Sequence, residues 1–448
     1  MDKKNFKVVC TTGADKHHLF GFHDLVAFNK SGDKLLSLEV DTINRPPLPQ
    51  EKADVGFSLW EESRFVKLGD TNAFNYPQGA RQQWLNDHTF IVNNQVGNSW
   101  GADVYDVDLM KKVDTYDCSA HCVTKDAGFA FTLDYSRIHR LGGYGYIGIE
   151  DAGSNEATPG NQGLWKLNLA TKEKTLLLSI RDIANHDIGT SALNGFHHYI
   201  THLVLNPANT RIAFLHRFFL SDGGIRTRLM TVGVNGDNLR CLAVGFLSHF
   251  DWKSDSTVFI WGRTGGGIDS LRSNPIFSNP LVAPFIRVAK GMIRGVLNKT
   301  SNQLAMSFLL VEDNNKAEVS PVAQGVLTED GHPMFSPTNK NIIVTDTYPD
   351  DDKYRTLMLY FFNENKVMSL TRHRMIDEQP DTVLYDLYTQ GCDEKILNLM
   401  SPELYSFTRS GLHCDFHPRW NNNGTVVAFD SIHEGNRKIY AIDVSEVV

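Results

Sequence analysis

The chain has 448 residues, of which 41% are hydrophobic and 10% aromatic, enough for a large packed core. Its formal net charge is -8 at pH 7, which argues against nucleic acid as a partner, because nucleic-acid-binding proteins carry a basic face. The sequence shows no apolar run long enough for a transmembrane helix and no recognisable secretion signal, and its six cysteines are scattered. We therefore expect a cytoplasmic protein with reduced thiols.

One sequence pattern recurs seven times along the chain. Each copy joins a short apolar strand, a polar turn and a second strand with alternating apolar residues. One copy opens on Gln82 and the other six open on a histidine. These opening histidines are His23, His121, His202, His249, His332 and His417. Seven such units in tandem predict an all-β fold, a seven-bladed β-propeller, in which the opening residues lie near a common axis.

The two ends of the chain are predicted to share one blade. Three strand-like segments, DFHPRW, TVVAFDS and RKIYAIDV, remain for the last blade. The segment NFKVVCTT also has strand character, and it precedes the first repeat. We expect it to supply the fourth strand and close the ring.

The uneven spacing of the opening residues predicts helical insertions between the later blades of a single propeller domain, residues 1–448. The first insertion is predicted at 264–328, and residues 281–299 within it have the spacing of a basic amphipathic helix. Such a helix can make peripheral contact with an anionic membrane, or pack against the propeller or a partner subunit, and both alternatives stay open. The second insertion is predicted at 372–409, near the rim of the channel.

The run LHCDFHP predicts a metal site. Its residues His413, Asp415 and His417 are spaced by two, so in a β-strand their side chains would share one face. Two imidazoles and a carboxylate are good ligands for a divalent metal, and His332 of the preceding blade could add a fourth donor. The alternative is structural, because a repeated histidine can also lock neighbouring blades together by hydrogen bonds.

Three stretches in the middle of the chain read TRIAFLHRF, TRLMTVGVNGDNLR and SHFDWKSDSTVFIWGR. They resemble the central blades of oligogalacturonate lyases, a family of cytoplasmic seven-bladed propellers. The resemblance places Arg228 at the family's arginine and His249 at its blade-opening histidine. It implies that Arg228 holds the substrate carboxylate and that His249 is the general base, with His202 close enough in the ring to assist.

The same resemblance implies a metal, typically Mn2+, held by a histidine opening a later blade and by a Q-x-x-H-x-H-P run. His332 matches the first position, and His417 matches the last histidine of the run. Asp415 stands in place of the family's middle histidine and Leu412 in place of its glutamine, although His413 follows directly. These departures leave the identity of the metal and of the substrate open.

The function that the resemblance implies is metal-assisted β-elimination on an acidic, uronate-containing oligosaccharide. A divalent ion and an arginine neutralise the carboxylate, which makes removal of the neighbouring proton by a base feasible. Two other functions stay open, namely a hydrolase or transferase of cell-surface polysaccharide synthesis and a non-enzymatic binding propeller with structural histidines. The sequence does not set the oligomeric state.

Overall fold

A computed structural model describes residues 6–13, 16–186, 197–219, 224–264 and 306–448. Its strands pair in antiparallel fashion with their neighbours in sequence and form five four-stranded sheets and one seven-stranded sheet. Small sheets built from consecutive strands are the architecture of a β-propeller. Within the described ranges, no helix is both long enough and apolar enough to span a membrane.

The first three blades use consecutive strands from β2 to β13, and β1 joins the last blade. Polar turns follow most of these strands, in keeping with the repeat pattern. The strands are, in chain order, β1 Val8–Cys10, β2 His17–Leu19, β3 Lys34–Val40, β4 Ala53–Leu59, β5 Arg64–Thr71, β6 Gln83–Trp84, β7 Thr89–Val96, β8 Ser99–Asp106, β9 Lys111–Tyr116, β10 Cys122–Val123, β11 Phe129–Thr132, β12 Gly163–Asn168 and β13 Lys174–Ser179.

Two blades are joined in the seven-stranded sheet. Its central strand has 13 residues, and it ends one blade and begins the next, so the described strands make seven four-stranded units. The strands of this sheet are β14 His198–Leu205, β15 Arg211–Phe219, β16 Ile225–Gly233, β17 Arg240–Trp252, β18 Thr257–Thr264, β19 Ser307–Glu312 and β20 Val319–Val322.

The last blade is completed by a strand from the other end of the chain. Val9 of β1 pairs with Ala441 of β27, which confirms the predicted closure of the ring. The remaining strands are β21 Met334–Phe335, β22 Ile342–Asp346, β23 Tyr354–Phe361, β24 Lys366–Arg374, β25 Arg419–Trp420, β26 Val426–Ser431 and β27 Lys438–Asp443.

The helices of the described ranges are short, and most begin with a recognisable cap. The Ser179 side chain forms a capping box at the start of α2, and the Ser401 hydroxyl caps α5 before a proline at its first turn. The helices are α1 Tyr135–Gly142, α2 Ile180–Asn185, α3 Tyr385–Tyr388, α4 Glu394–Leu397 and α5 Pro402–Arg409, with a 3-10 turn at Trp60–Glu62.

The two predicted insertions contain different secondary structure. The range 372–409 of the second contains helices α3 to α5, although strand β24 continues to Arg374. In the first, predicted at 264–328, strands β19 and β20 complete a blade, so those residues belong to the sheet. The basic amphipathic helix predicted at 281–299, and with it the membrane contact, lies outside the described residues.

The apolar core lies between neighbouring sheets. One cluster, for example, joins Val344 and Leu359 of one blade to Val427 and Ile442 of the next, all of them fully buried. Because side chains alternate between the two faces of a strand, each blade buries one apolar set against each neighbour. This packing fixes the blades around an axis and positions the loops that carry the opening residues.

Candidate functional site

Four of the opening histidines line one cavity of about 370 Å3. They are His202, His249, His332 and His417. Helix α5 and the segment before it form another part of the wall, through Met400, Leu404, Thr408 and Arg409. The cavity therefore lies between the inner ends of the later blades and the second insertion, where a ligand could contact groups from both.

Phe22 forms the centre of the histidine cluster. Its ring centroid lies 4.9 Å from that of His202 and 5.0 Å from that of His417, and the rings of His23, His249 and His332 also contact it. Gly21, with φ of 130°, allows this placement, because a Cβ there would lie 2.5 Å from the carbonyl oxygen of Gln78. The predicted grouping of the opening residues is confirmed for these five histidines.

Irregular backbone turns two of these histidines into the cavity. The pairing of β14 with β15 shifts register between Thr201 and Val204, next to His202. The pairing of β17 with β18 shifts between Leu247 and Phe250, next to His249. Such bulges redirect side chains and are common beside functional sites. His202 also has a left-handed backbone, with φ of 59°, which is uncommon for a residue with a Cβ.

His332, Asp415 and His417 form a buried cluster suited to a metal ion. Each offers one ligand atom within 4.8 Å of the other two. The His332 Nε2 atom lies 3.9 Å from Asp415 Oδ2, and the His417 Nε2 atom lies 3.8 Å from the same oxygen. Donors at about 2.1 Å from one tetrahedral ion lie about 3.4 Å apart, so a small inward movement would complete the site.

The surroundings of this cluster fit a metal site. The His332 Nδ1 atom lies 2.8 Å from Asp346 Oδ1, which leaves Nε2 to face the cluster. Burial opposes protonation of His332, but Asp346 outweighs it and raises the pKa, so protons and a metal ion would compete for this imidazole. Burial lowers the pKa of His417 well below its ordinary value, which keeps this imidazole neutral. Its buried Nδ1 has no hydrogen-bond partner among the described residues.

The carboxylate of the cluster is held in its charged form. Burial acts against ionisation of Asp415, yet His413 and Arg355 beside it hold the pKa of this carboxyl well below its usual range. The Arg355 Nη1 atom lies 2.7 Å from Asp415 Oδ1, which leaves Oδ2 to face the two histidines. A charged carboxylate with two imidazoles is a donor set for a first-row divalent ion such as Mn2+ or Zn2+.

The geometry predicted for LHCDFHP is wrong. Strand β25 begins only at Arg419, so His413, Asp415 and His417 do not share one face of a strand. His417 instead has a left-handed backbone with φ of 41°. His413 lines the cavity beside the cluster, and its Nδ1 atom lies 3.6 Å from Asp415 Oδ2. Burial lowers its pKa to about 4, so its imidazole is neutral at the edge of the cluster.

His249 is positioned by a carboxylate and contacts the cluster of His332, Asp415 and His417. Its Nδ1 atom lies 3.1 Å from Asp330 Oδ1, and its ring centroid lies 4.2 Å from that of His332. A carboxylate at Nδ1 fixes the tautomer with the proton on that nitrogen and leaves Nε2 able to accept another. His202, expected to assist, lies across Phe22, and burial lowers its pKa well below the ordinary value.

The structure separates Arg228 from the cavity. Its guanidinium donates to the carbonyl oxygens of Ile183 and His186 at 3.1 and 2.6 Å and is buried against helix α2. Arg228 therefore does not lie where a residue that binds the substrate carboxylate was expected. Arg217, on the paired strand β15, lines the cavity instead, and its buried Nε atom has no hydrogen-bond partner among the described residues.

The other opening residues lie away from the cavity wall and make structural contacts. The His121 Nδ1 atom is 2.8 Å from the hydroxyl of Tyr135, and the Gln82 amide donates to the carbonyl of Phe20 at 2.6 Å. His23 is fully buried behind Phe22. Packing thus accounts for these three positions, whereas the other four opening histidines reach the cavity.

Sequence reasoning missed several residues of the site. Asp330 and Asp346 have no motif of their own, although Asp330 precedes His332 by two residues. Phe22 stands directly before an opening histidine. The missed residues include Phe22, Arg217, Asp330, Asp346, Tyr348 and Arg355.

The fold and the cavity define a β-propeller with a histidine-rich site at its axis. The crystal structure of an oligogalacturonate lyase from Vibrio parahaemolyticus is similar, with a TM-score of 0.56 and 13% identity over 98% of this chain and 94% of that one. The structure of an oligogalacturonate lyase in complex with manganese has a TM-score of 0.40 and 12% identity, over 99% and 96% of the two chains. No protein-family profile and no curated protein sequence matches the chain. The first of these likenesses confirms the predicted fold and the lyase-like propeller; at this identity it concerns the fold alone.

Proposed function

We propose that this protein cleaves a uronate-containing oligosaccharide by metal-assisted β-elimination. The observation that carries the proposal is the arrangement of one cavity, in which the buried cluster His332, Asp415 and His417 adjoins the His249–Asp330 pair. Elimination beside a carboxylate needs positive charge to stabilise the developing negative charge, and a base placed next to it. In this cavity the candidate metal ligands and the candidate base His249 lie within contact distance of each other.

The metal-binding residues in this proposal are His332, Asp415 and His417, with His413 at the edge. When bound, a divalent ion such as Mn2+ supplies positive charge next to the substrate carboxylate. Asp346 orients His332, and Arg355 orients Asp415. These outer groups hold the donor atoms in place before an ion arrives, which reduces the reorganisation that binding requires.

Side chains of the cavity wall bind the substrate carboxylate and transfer the protons. Arg217 binds the substrate carboxylate in place of Arg228, since a guanidinium fork matches a carboxylate. The free Nε2 of His249 takes the proton from the carbon next to that carboxylate. Burial raises the pKa of Tyr348 well above its ordinary value, so its phenol stays protonated and is the candidate donor to the leaving oxygen.

Hydrolysis has less support from the same cavity. Glycoside hydrolases use a pair of carboxyl groups on either side of the scissile bond. Among the described residues that line this cavity, Asp415 is the one carboxylate, and it belongs to the metal cluster. A purely structural role for the histidines is also less suitable, because four of them line a cavity.

The test begins with the metal content of the purified protein and its activity on uronate oligosaccharides. We expect one equivalent of a divalent ion, and an ultraviolet absorbance rise from the unsaturated uronate that elimination produces. His417→Ala should lose both. His121→Ala, at an opening position outside the cavity, should keep both once its folding is verified by circular dichroism.

A second pair of variants separates the two arginines. Arg217→Lys should lower kcat/KM by about tenfold or more, because it removes the planar fork at the carboxylate. Arg228→Lys should lower the melting temperature, because it removes hydrogen bonds to buried carbonyls, and leave kcat/KM of the folded fraction unchanged. Absence of both metal and new absorbance in the wild type would contradict the proposed function.

A further inference from the structure

Helix α5 of the second insertion brings an arginine into the cavity. Arg409 is 8% exposed and lines the cavity beside Tyr144, with its guanidinium carbon 3.9 Å from the centroid of that ring. One Nη atom donates to the carbonyl oxygen of Gly142 and the other to the hydroxyl of Thr408, both at 3.1 Å. A guanidinium has five N–H groups, so three remain, and the buried Nε atom has no partner among the described residues.

Arg409 is unusual among the buried arginines. Of eight that the structure describes as buried, six form an ion pair with an aspartate, and the two that do not are Arg228 and Arg409. Arg228 is satisfied by two carbonyl oxygens, as described above, whereas Arg409 keeps unpaired N–H groups at a cavity wall. The six paired arginines are Arg81, Arg137, Arg140, Arg355, Arg419 and Arg437.

A buried cation without a counter-ion is costly. The cost is offset when a ligand brings the missing anion. Arg217, the proposed carboxylate-binding residue, also has no carboxylate within ion-pair distance in the described part of the chain. Both arginines line the cavity and lie close to Tyr199. Arg217 is the cross-strand partner of Tyr199. Arg409 donates to Gly142, where an added Cβ would lie 3.3 Å from the Tyr199 ring. The two cations therefore lie on the same side of the cavity.

We infer that Arg409 is a specificity-determining residue that binds a second carboxylate of the ligand, carried by the sugar next to the one that Arg217 holds. The inference rests on the proposed function. Tyr144 supports the guanidinium from one side by cation–π contact, and Met400 and Leu404 form an apolar wall beside it. Such a site favours two adjacent uronates over a single acidic sugar in a neutral chain.

The test compares two probes on the Mn2+-loaded protein by calorimetry, galacturonate with one carboxylate and its 1→4-linked dimer with two. Wild type should bind the dimer more tightly than the monomer. Arg409→Met, which keeps an apolar stem over Tyr144, should weaken the dimer about tenfold or more and leave the monomer unchanged, as expected for loss of a charge-assisted hydrogen bond. Arg181→Met, at an exposed arginine of helix α2, is the matched control and should change neither.

The outcomes separate the two proposals. If neither probe binds the wild type, the proposed function fails and this inference fails with it. If the dimer binds wild type and Arg409→Met equally, or if both probes weaken alike, only the role of Arg409 is overturned. Should Arg409→Met unfold, Arg409→Lys decides: it keeps the charge and loses the fork, so dimer affinity must fall while monomer affinity holds.

Discussion

At the start of helix α1, the half-buried Asp134 lies between two elements of one blade. Its Oδ2 atom accepts the backbone N–H of Gly163 at 2.7 Å. Burial raises the pKa of Asp134 from 3.8 to about 7, and the hydrogen bond from Gly163 opposes this only in part. The group therefore binds a proton more tightly in the folded protein than in the unfolded chain.

This shift predicts a pH-dependent stability that Asp134→Asn should remove. Below about pH 4 the contribution of Asp134 to the free energy of unfolding is fully present. It is lost as pH rises through the folded pKa near 7, because the carboxyl group ionises at lower pH in the unfolded chain than in the folded protein. Asn keeps the oxygen that accepts from Gly163 but cannot ionise. We expect the free energy of unfolding of the variant, relative to wild type, to rise between pH 4 and 7 and then level off. Urea unfolding at four pH values measures this difference; a constant difference would contradict it.

Single residues also show where the sequence could not predict the site. Arg217 pairs with Thr227 across β15 and β16, and His216 pairs with Arg228. Cross-strand partners share a face and neighbours along a strand point to opposite faces, so Arg217 and Arg228 lie on opposite faces of one sheet. The sequence motif identified the correct hairpin, strands β15 and β16. It did not reveal which face of that hairpin lies against the cavity.

At the scale of elements, tryptophans link neighbouring blades through their indole N–H groups. Trp84 of β6 donates to Ala27 at 2.8 Å, and Trp252 and Trp420 donate to Val204 and Met334 at 3.0 Å. In each case the acceptor is a backbone carbonyl of the preceding blade. The recurrence of tryptophan shortly after an opening residue thus has a structural reason, and its role is in the blade interfaces.

Trp252→Phe should destabilise the protein without affecting the cavity. The change removes one hydrogen bond and leaves the buried carbonyl of Val204 without its donor, at an expected cost of about 1–3 kcal/mol. Urea unfolding measures this loss. Trp261→Phe is the matched control, since Trp261 is also buried but makes no such link within the described residues; a loss as large in the control would assign the effect to ring volume instead.

The strands were predictable from the sequence where the alternation of apolar residues is regular. The repeats identified the blades because alternation of apolar residues directly reflects burial of one face. Bulges beside His202 and His249 were not predictable, since one extra residue leaves the apolar pattern almost unchanged while it turns the side chain. The segment LHCDFHP departs from strand geometry for a similar reason. Its candidate ligand residues lie before strand β25 begins, where regular strand pairing has stopped.

At the scale of the whole molecule, the ring depends on pairing between the two ends of the chain. Next to β1, the backbone N–H and the side-chain hydroxyl of Thr11 both donate to the carbonyl of Ile439 at 2.9 Å. Thr11 is fully buried. This closure was predictable from strand count alone, because a blade with three strands leaves an unpaired edge that needs a fourth.

Thr11→Pro should weaken the closure of the ring, because proline removes the backbone donor and cannot support the paired geometry of the adjoining strand. Thr11→Val removes the hydroxyl bond alone and provides a graded control. We expect losses in unfolding free energy of about 1–3 kcal/mol for the proline and about 1 kcal/mol for the valine. Limited proteolysis should cut the proline variant first near the end strands. Equal stability of wild type and Thr11→Pro would show that packing between blades holds the ring closed without this pairing.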